Sequence, residues 1–324
     1  LHWFTFIFSL GIMQKNAFVT EFILVGVSQN PEVQNIVLVV FLFVYIATIG
    51  RNLLITLTIV YSPALLHSPM YYFLAFLSFL DARFSSVITP NMIVDSLTER
   101  KTIFFKGCMI KLFAEHIFAG VEMVFPTVMA YDYKVAICKP LNYSSIMNWR
   151  LCSTLIGVAW TKGFLHSIVQ IFFIFQLPFC GPNVIDHFIC DLYPFLKLFV
   201  CTDTHIFGLL VFTNSGFICI ITFPFLLVSY GVILFSLRNH SSEGQLKPLS
   251  TCGPHITVVV LLFVPCIFIY AWSSLAFSFD KMVAIFYTIL APLLNPFVYT
   301  FWKKNMKNAL RKILKRLVVV SDIK

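Results

Sequence analysis

Charge is what this chain has least of. Of 324 residues only 11% are Asp, Glu, Lys or Arg, while 59% are hydrophobic, and the mean hydropathy is +0.88. A soluble domain of this length needs more charge to cover its surface, so composition places the chain in a bilayer. Catalytic signatures are missing as well. There is no HExxH, no phosphate loop and no Ser/His/Asp set, which argues against an enzyme. The nine cysteines form no CxxC pair, and the histidines show no metal-site spacing. A cleavable signal peptide is also lacking. Residues 1–12 are apolar but have neither a basic start nor a small-residue cleavage site. They read as an upstream extension, with Met13 the expected natural beginning.

What is abundant is long apolar runs and aromatic rings, including 37 Phe. Runs of roughly 20 apolar residues mark membrane helices. Seven are expected: Ile36–Val60, Met70–Val94, Lys111–Ala130, Leu151–Phe175, Ile206–Leu237, Ser250–Trp272 and Met282–Trp302. The chain then divides into an N-terminal segment 1–35, one membrane domain 36–302 and a tail 303–324. A transporter or channel is the competing reading. It predicts internal repeats and broken helices meeting at midplane; neither is visible, and seven spans do not halve.

The net charge of +9 does not point to nucleic acid, because 8 of the 23 Lys and Arg follow Phe301. Basic residues beside a final apolar run read as a cytoplasmic membrane flank. Segments 134–150 and 238–247, with the tail, hold 13 Lys and Arg. With alternating spans they share one side, so that side is expected to be cytoplasmic and the N-terminus extracellular. In the tail, Met306, Leu310, Ile313, Leu314 and Leu317 recur at helical spacing among cations, which predicts a short amphipathic helix on the inner leaflet. The long segment 176–205 falls outside, where disulfides persist, and holds Cys180, Cys190 and Cys201.

Five strings, in order, resemble the signatures of olfactory receptors of the rhodopsin-like G-protein-coupled class. They are PMYYFLAFLSFLD (Pro69–Asp81), MAYDYKVAICKPLNY (Met129–Tyr143), SYGVILFSL (Ser229–Leu237), KPLSTCGPHITVV (Lys247–Val259) and PLLNPFVYT (Pro292–Thr300). LPFCGPNVIDHFIC and CIFIY look most like the family-four branch. The resemblance implies an all-α membrane protein of seven helices with a short amphipathic C-terminal helix. It also implies a small volatile odorant bound among the outer helix halves, and a stimulatory olfactory G protein that raises cyclic AMP.

Site residues follow partly from position and partly from that resemblance. Asp81, Glu122 and Asn295 are polar groups inside apolar spans, where such residues face a bundle interior. Two close carboxylates do not both ionise cheaply without a cation or a shared proton. The resemblance implies a water and sodium site there, with no other cofactor. A hydrogen-bonded structural cluster without a switching role is the competing reading. Asn295–Tyr299 matches NPxxY, in which Pro296 allows a kink and Tyr299 swings inward, towards Tyr230. The resemblance pairs Cys108 with Cys190 and Cys180 with Cys201; the interval from Cys190 to Cys201 is one residue longer than is usual in the family, which weakens the second pairing. Glu115, His116, Ala119 and Gly120 recur near one face of the third helix. Asn214, Ile218, Tyr270 and Thr288 resemble pocket positions. His116 beside Glu115 reads equally well as a satisfied polar cluster at the membrane edge.

The departures from the family matter. Its DRY triplet stands here as Asp132-Tyr133-Lys134, so the Arg that engages the G protein is missing. Lys134 is no substitute, because one helix position rotates a side chain by about 100°. Arg51 occupies a place usually held by glycine, and Arg83 follows Asp81 in the second helix. An intramembrane Arg costs about 2.5–3.5 kcal/mol unless paired; pairing of Arg83 or Arg51 with Asp81 is one open rescue, which would displace a bound cation. Pro126 and Pro254 enter helices where the family has other residues. The sequons at Asn142 and Asn239 fall on the expected cytoplasmic side and should be unused. Together these features fit either a receptor or a receptor-like copy with impaired coupling.

Overall fold

The computed structural model describes residues 20–28, 30–98, 101–176, 183–192, 205–238, 252–253, 255–264, 281, 284–300 and 306–312. Long helices dominate it: α1 (Pro31–Val60), α2 (Pro69–Leu97), α3 (Phe105–Cys138), α4 (Trp149–Gln176) and α5 (His205–Leu237). The starts of α1, α2 and α4 follow from local chemistry. Asn30 caps α1 by accepting a hydrogen bond from the Glu32 N–H at 2.9 Å, and Pro31 and Pro69 sit at first-turn positions that need no donor. Asn148 does the same for α4, accepting from the Leu151 N–H at 2.9 Å. α1 and α3 overrun the apolar windows read from the sequence, because helical hydrogen bonding continues past the apolar core into polar residues.

Among the described residues, four helices are long and apolar enough to cross a membrane: Pro31–Val60, Pro69–Leu97, Trp149–Phe172 and Gly216–Leu237. α3 is 34 residues long and carries Lys106, Lys111, Glu115, Glu122, Asp132 and Lys134. Its position explains the tolerance. It packs against α2, α4 and α5, so its polar groups meet protein. α1, on the periphery, leaves Phe43 74% and Val39 66% exposed, and α5 leaves Phe235 72% exposed. Apolar surface on that scale requires lipid. The sixth and seventh expected spans are represented by α6 (His255–Val264), a π-helical turn at Phe286–Leu290 and α7 (Ala291–Thr300). α7 packs on α1 and α2. α8, residues 306–312, buries Met306 and Ala309 and exposes Lys307, Arg311 and Lys312, the amphipathic pattern expected of the tail. Ile313, Leu314 and Leu317 lie outside the described residues.

The central core joins α2, α3, α5 and α6 through Phe73, Leu80, Phe125, Leu226 and Phe263. Phe73 and Phe125 meet edge-on at 5.9 Å. Pro126 does not interrupt α3, and Pro90 and Pro224 likewise lie inside continuous helices.

The expectation of a purely helical chain is corrected at one end. There β1 (Glu21–Leu24) lies between β2 (Thr102–Phe104) and β3 (Val184–Ile185), antiparallel to the first and parallel to the second. Alternation in β1 turns Phe22 and Leu24 into a small core with Cys108, Met109, Leu112 and Ile185. The sheet forms because three loop segments are brought together over the helix ends. The Cys108–Cys190 disulfide ties the third of them to α3, with Cα atoms 5.6 Å apart. Cys180 and Cys201 lie outside the described residues.

Candidate functional site

Polar side chains gather in three layers along the helices. At the disulfide end, a narrow cleft open to the exterior is lined by Ile88, Asn91, Asp95, Lys111, Glu115 and Phe188, among others. Asp95 interacts electrostatically with Lys111 and Lys101, and Glu115 faces the loop carboxylate of Asp191. Of the ligand positions read from the sequence, Glu115 lines this cavity. His116 turns towards α4: its Nδ1 bonds the Leu112 carbonyl at 2.8 Å and its ring lies 5.8 Å from that of His166, which fits the polar-cluster reading. Ala119 and Ile218 are half-buried. Thr288 is buried in the π-helical turn and donates to the Ala284 carbonyl at 2.6 Å. Tyr270 and the side chain of Asn214 lie outside the described residues. Gly120 is taken up by a helix crossing, since a Cβ there would stand 2.9 Å from Gly163 Cα.

Over this cavity the loop after α4 is pinned by backbone hydrogen bonds. Val25 N–H donates to Ile185 O at 3.0 Å and Gly26 N–H to His187 O at 3.2 Å. Gly26 has φ +83°, a conformation that a side chain would strain. Lys281 reaches the same loop through Asp186 at 2.8 Å.

The middle layer contains Asp81, Glu122 and Asn295, all at or below 3% exposure. Asn295 Nδ2 donates to both Asp81 oxygens, at 3.1 and 3.3 Å. Glu122 interacts electrostatically with Asp81, and the Asn295 amide is its neighbour, yet neither carboxylate oxygen has a hydrogen-bond partner of normal geometry. Thr48 Oγ1 and Asn52 Oδ1 on α1 are unpartnered too, while Asn52 Nδ2 donates to Pro292 O at 3.1 Å and Thr48 O at 3.0 Å. Unsatisfied hard oxygens suit a hard cation or a proton, so the donor set fits sodium. Asn295, grouped with Asp81 from the sequence, holds it, and the rescue through Arg83 is not taken. Arg83, two positions on and so about 200° around the helix, is exposed, with its guanidinium 5.2 Å from the Phe79 ring. Arg51 is half-exposed.

At the opposite end, Asp132 is 2% exposed and accepts from the Tyr143 hydroxyl at 2.8 Å. The buried Tyr133 ring meets His255 edge-on at 5.2 Å, and the Tyr230 hydroxyl is hydrogen-bonded to His255 Nδ1. Lys134 is half-buried. The side chain of Tyr299 and Pro254 lie outside the described residues, so the partner seen for Tyr230 is His255. Sequence reasoning missed His255, Tyr143 and the Asp95–Lys111 pair. The first had a signal: a histidine inside an apolar run needs a partner within the bundle.

Residues 41–317 match the family model described as olfactory receptor. The chain belongs to the olfactory receptor family. Olfactory receptor 4A47 of Homo sapiens is 52% identical over 310 residues, covering 96% of this chain and 100% of that receptor. Olfactory receptor 4S2 of Homo sapiens is 53% identical over 306 residues, 94% of this chain and 98% of that one. Olfactory receptor 4B13 of Mus musculus is 51% identical over 293 residues, 90% and 95% of the two chains. These relatives belong to the branch that LPFCGPNVIDHFIC suggested. An olfactory receptor is a multi-pass membrane protein of a receptor family, not an enzyme family.

Proposed function

We propose that this chain is a seven-helix odorant receptor whose cavity under the strand-pinned loop takes a small volatile ligand. Full-length similarity to olfactory receptors carries this reading. The place of the cleft supports it: apolar Ile88, Met92 and Phe188 stand beside Asn91 and Glu115 at the helix ends under that loop. The basic loops and tail support an extracellular N-terminus and a cytoplasmic C-terminus. The G protein reached at the Asp132 end is of the stimulatory olfactory type. Asp81, Glu122 and Asn295 would hold a sodium ion, whose charge would neutralise the two carboxylates. Tyr133 in place of the family's Arg weakens coupling, because it offers one hydroxyl for five fixed N–H donors and a permanent charge.

The test is a cyclic AMP assay in transfected cells across an odorant panel, with surface expression measured alongside. An odorant-dependent rise is expected, small in amplitude. Epitopes at Met13 and after Lys324 report orientation: the first should stain on intact cells and the second only after permeabilisation. Normal surface delivery with no response to any odorant, even after Tyr133→Arg, would sink the receptor reading.

A further inference from the structure

Arg83 is a charge on the lipid-facing side of a membrane helix. It lies fourteen residues from each end of α2 (Pro69–Leu97), which is about 21 Å from either end at 1.5 Å per residue. The hydrocarbon core is about 30 Å thick, and an arginine side chain reaches roughly half of its half-thickness. Snorkelling from mid-helix therefore leaves the guanidinium in hydrocarbon. Among the described residues its guanidinium lies over the face of Phe79, itself 40% exposed, and forms no ion pair. One turn further on, Ser86 is exposed and accepts a hydrogen bond from Tyr45 of α1 at 3.3 Å. Phe79, Arg83, Ser86 and Tyr45 thus form a polar and aromatic strip facing outwards along the α1–α2 seam.

A guanidinium at mid-bilayer calls for a carboxylate, because intramembrane ionisable groups pair with one another. Among the described residues, a second copy of this chain has none exposed at that depth. Its mid-span acids, Asp81 and Glu122, are both 1% exposed. We infer that the α1–α2 seam around Arg83 docks a transmembrane helix of a different membrane protein, one that carries an Asp or Glu at mid-span. The inference is independent of odorant binding and requires only that α2 crosses the bilayer.

The experiment co-expresses the full chain with a designed single-span leucine–alanine helix carrying Glu, Gln or Leu at its centre. Association is read by resonance energy transfer between tags at matched surface levels. The Glu helix should give a saturable signal several-fold above the Leu helix, and Arg83→Leu should reduce it to the Leu level. Leucine at a lipid-facing position favours insertion, so delivery of that variant should be at least that of the parent. Arg83→Glu should transfer the preference to a helix with a central Lys. Equal signals from the Glu and Leu helices, or a Glu preference that survives Arg83→Leu, would overturn the inference. So would Arg83-dependent self-association with the Glu helix ignored, which would assign the seam to a second copy.

Discussion

The hydroxyl of Tyr230 on α5 is hydrogen-bonded to Nδ1 of His255 on α6, and the ring of Tyr133 on α3 closes against the same imidazole. Three helices thereby meet on one fully buried side chain. If the Asp132 end opens on signalling, as proposed above, this contact is expected to break, and it would then favour the closed packing.

Removing it should shift the population. A net hydrogen bond contributes about 1 kcal/mol, or roughly fivefold in an equilibrium. Tyr230→Phe and His255→Ala should each raise the opening of that end, and together should do little more than either alone. Cys252 is buried beside this site, so its labelling rate by a thiol reagent, in a Cys138→Ser background, reports opening without requiring coupling. Unchanged labelling in both variants would show that the contact holds nothing shut.

On the proposed function, coupling is expected to be limited by Tyr133. Replacing Tyr133 with Arg and Lys134 with Tyr together should give a several-fold gain in odorant-dependent cyclic AMP at matched surface density. Asp132 regains an adjacent cation and the inner face regains a fixed fork of donors. The structure adds a qualification: Asp132 already has the Tyr143 hydroxyl, so Tyr143→Phe should enlarge the gain by freeing the carboxylate. A strong parental response that the double substitution leaves unchanged would show that the missing Arg is not limiting.

The layers differ in how far they were legible. The first five helices and the Cys108–Cys190 link were readable, the helices from apolar length and the link from the family resemblance. The small sheet was not, since Thr102–Phe104 and Val184–Ile185 are too short to show a period of two and pair only through loop geometry. The Arg83–Asp81 pair that the sequence leaves open is settled by helix geometry. Spacing placed it near Asp81 in sequence, but a separation of two residues puts side chains on opposite helix faces. His255 was visible as a histidine in an apolar run, but its partners come from α3 and α5, and only the packing supplies them.

The disulfide sets the loop over the cavity. Unreduced peptide mapping should recover Cys108 and Cys190 linked. Cys108→Ser and Cys190→Ser should lower surface expression equally, because either change frees the same loop closure. Recovery of both as free thiols from correctly delivered receptor would contradict the observed bond.

Acid should loosen that loop through His187. Its ring is 1% exposed, stacks on Phe188 at 4.4 Å, and accepts from the Ile189 N–H at 3.3 Å. Burial holds the imidazole below its ordinary value of 6.5, with Lys281 acting the same way and Asp191 and Asp186 opposing. The unfolded loop therefore binds the proton first. The neutral ring's stability is intact above pH 6.5, erodes below it, and is fully lost once pH falls through the folded value. Limited proteolysis of the loop on intact cells should speed up between about pH 7 and pH 5, and His187→Gln should flatten that dependence. A parental rate independent of pH would exclude the histidine as its cause.

The last prediction concerns the crossing that fixes α3 against α4. A Cβ on Gly163 would stand 2.6 Å from the Ile117 carbonyl oxygen and 2.7 Å from Val121 Cγ2, and one on Gly120 would stand 2.9 Å from Gly163 Cα. The first and third of these neighbours are backbone atoms, so relief requires the helices to part, not a rotamer to change. Overpacking of this kind costs about 1–3 kcal/mol, and parting the helices also moves the Ser167 hydroxyl away from the Phe113 carbonyl it bonds at 2.8 Å. Gly163→Ala and Gly120→Ala should therefore each lower the thermal stability of detergent-solubilised receptor. Gly157→Ala, on the same helix with nothing within 4 Å of its Cβ, should leave it unchanged or raise it slightly through the better helix propensity of alanine. The order matters more than the size. If Gly157→Ala proved as damaging as Gly163→Ala, helix propensity and insertion would be at fault, and the close approach of α3 and α4 would not be what holds Glu115 and Glu122 in their layers.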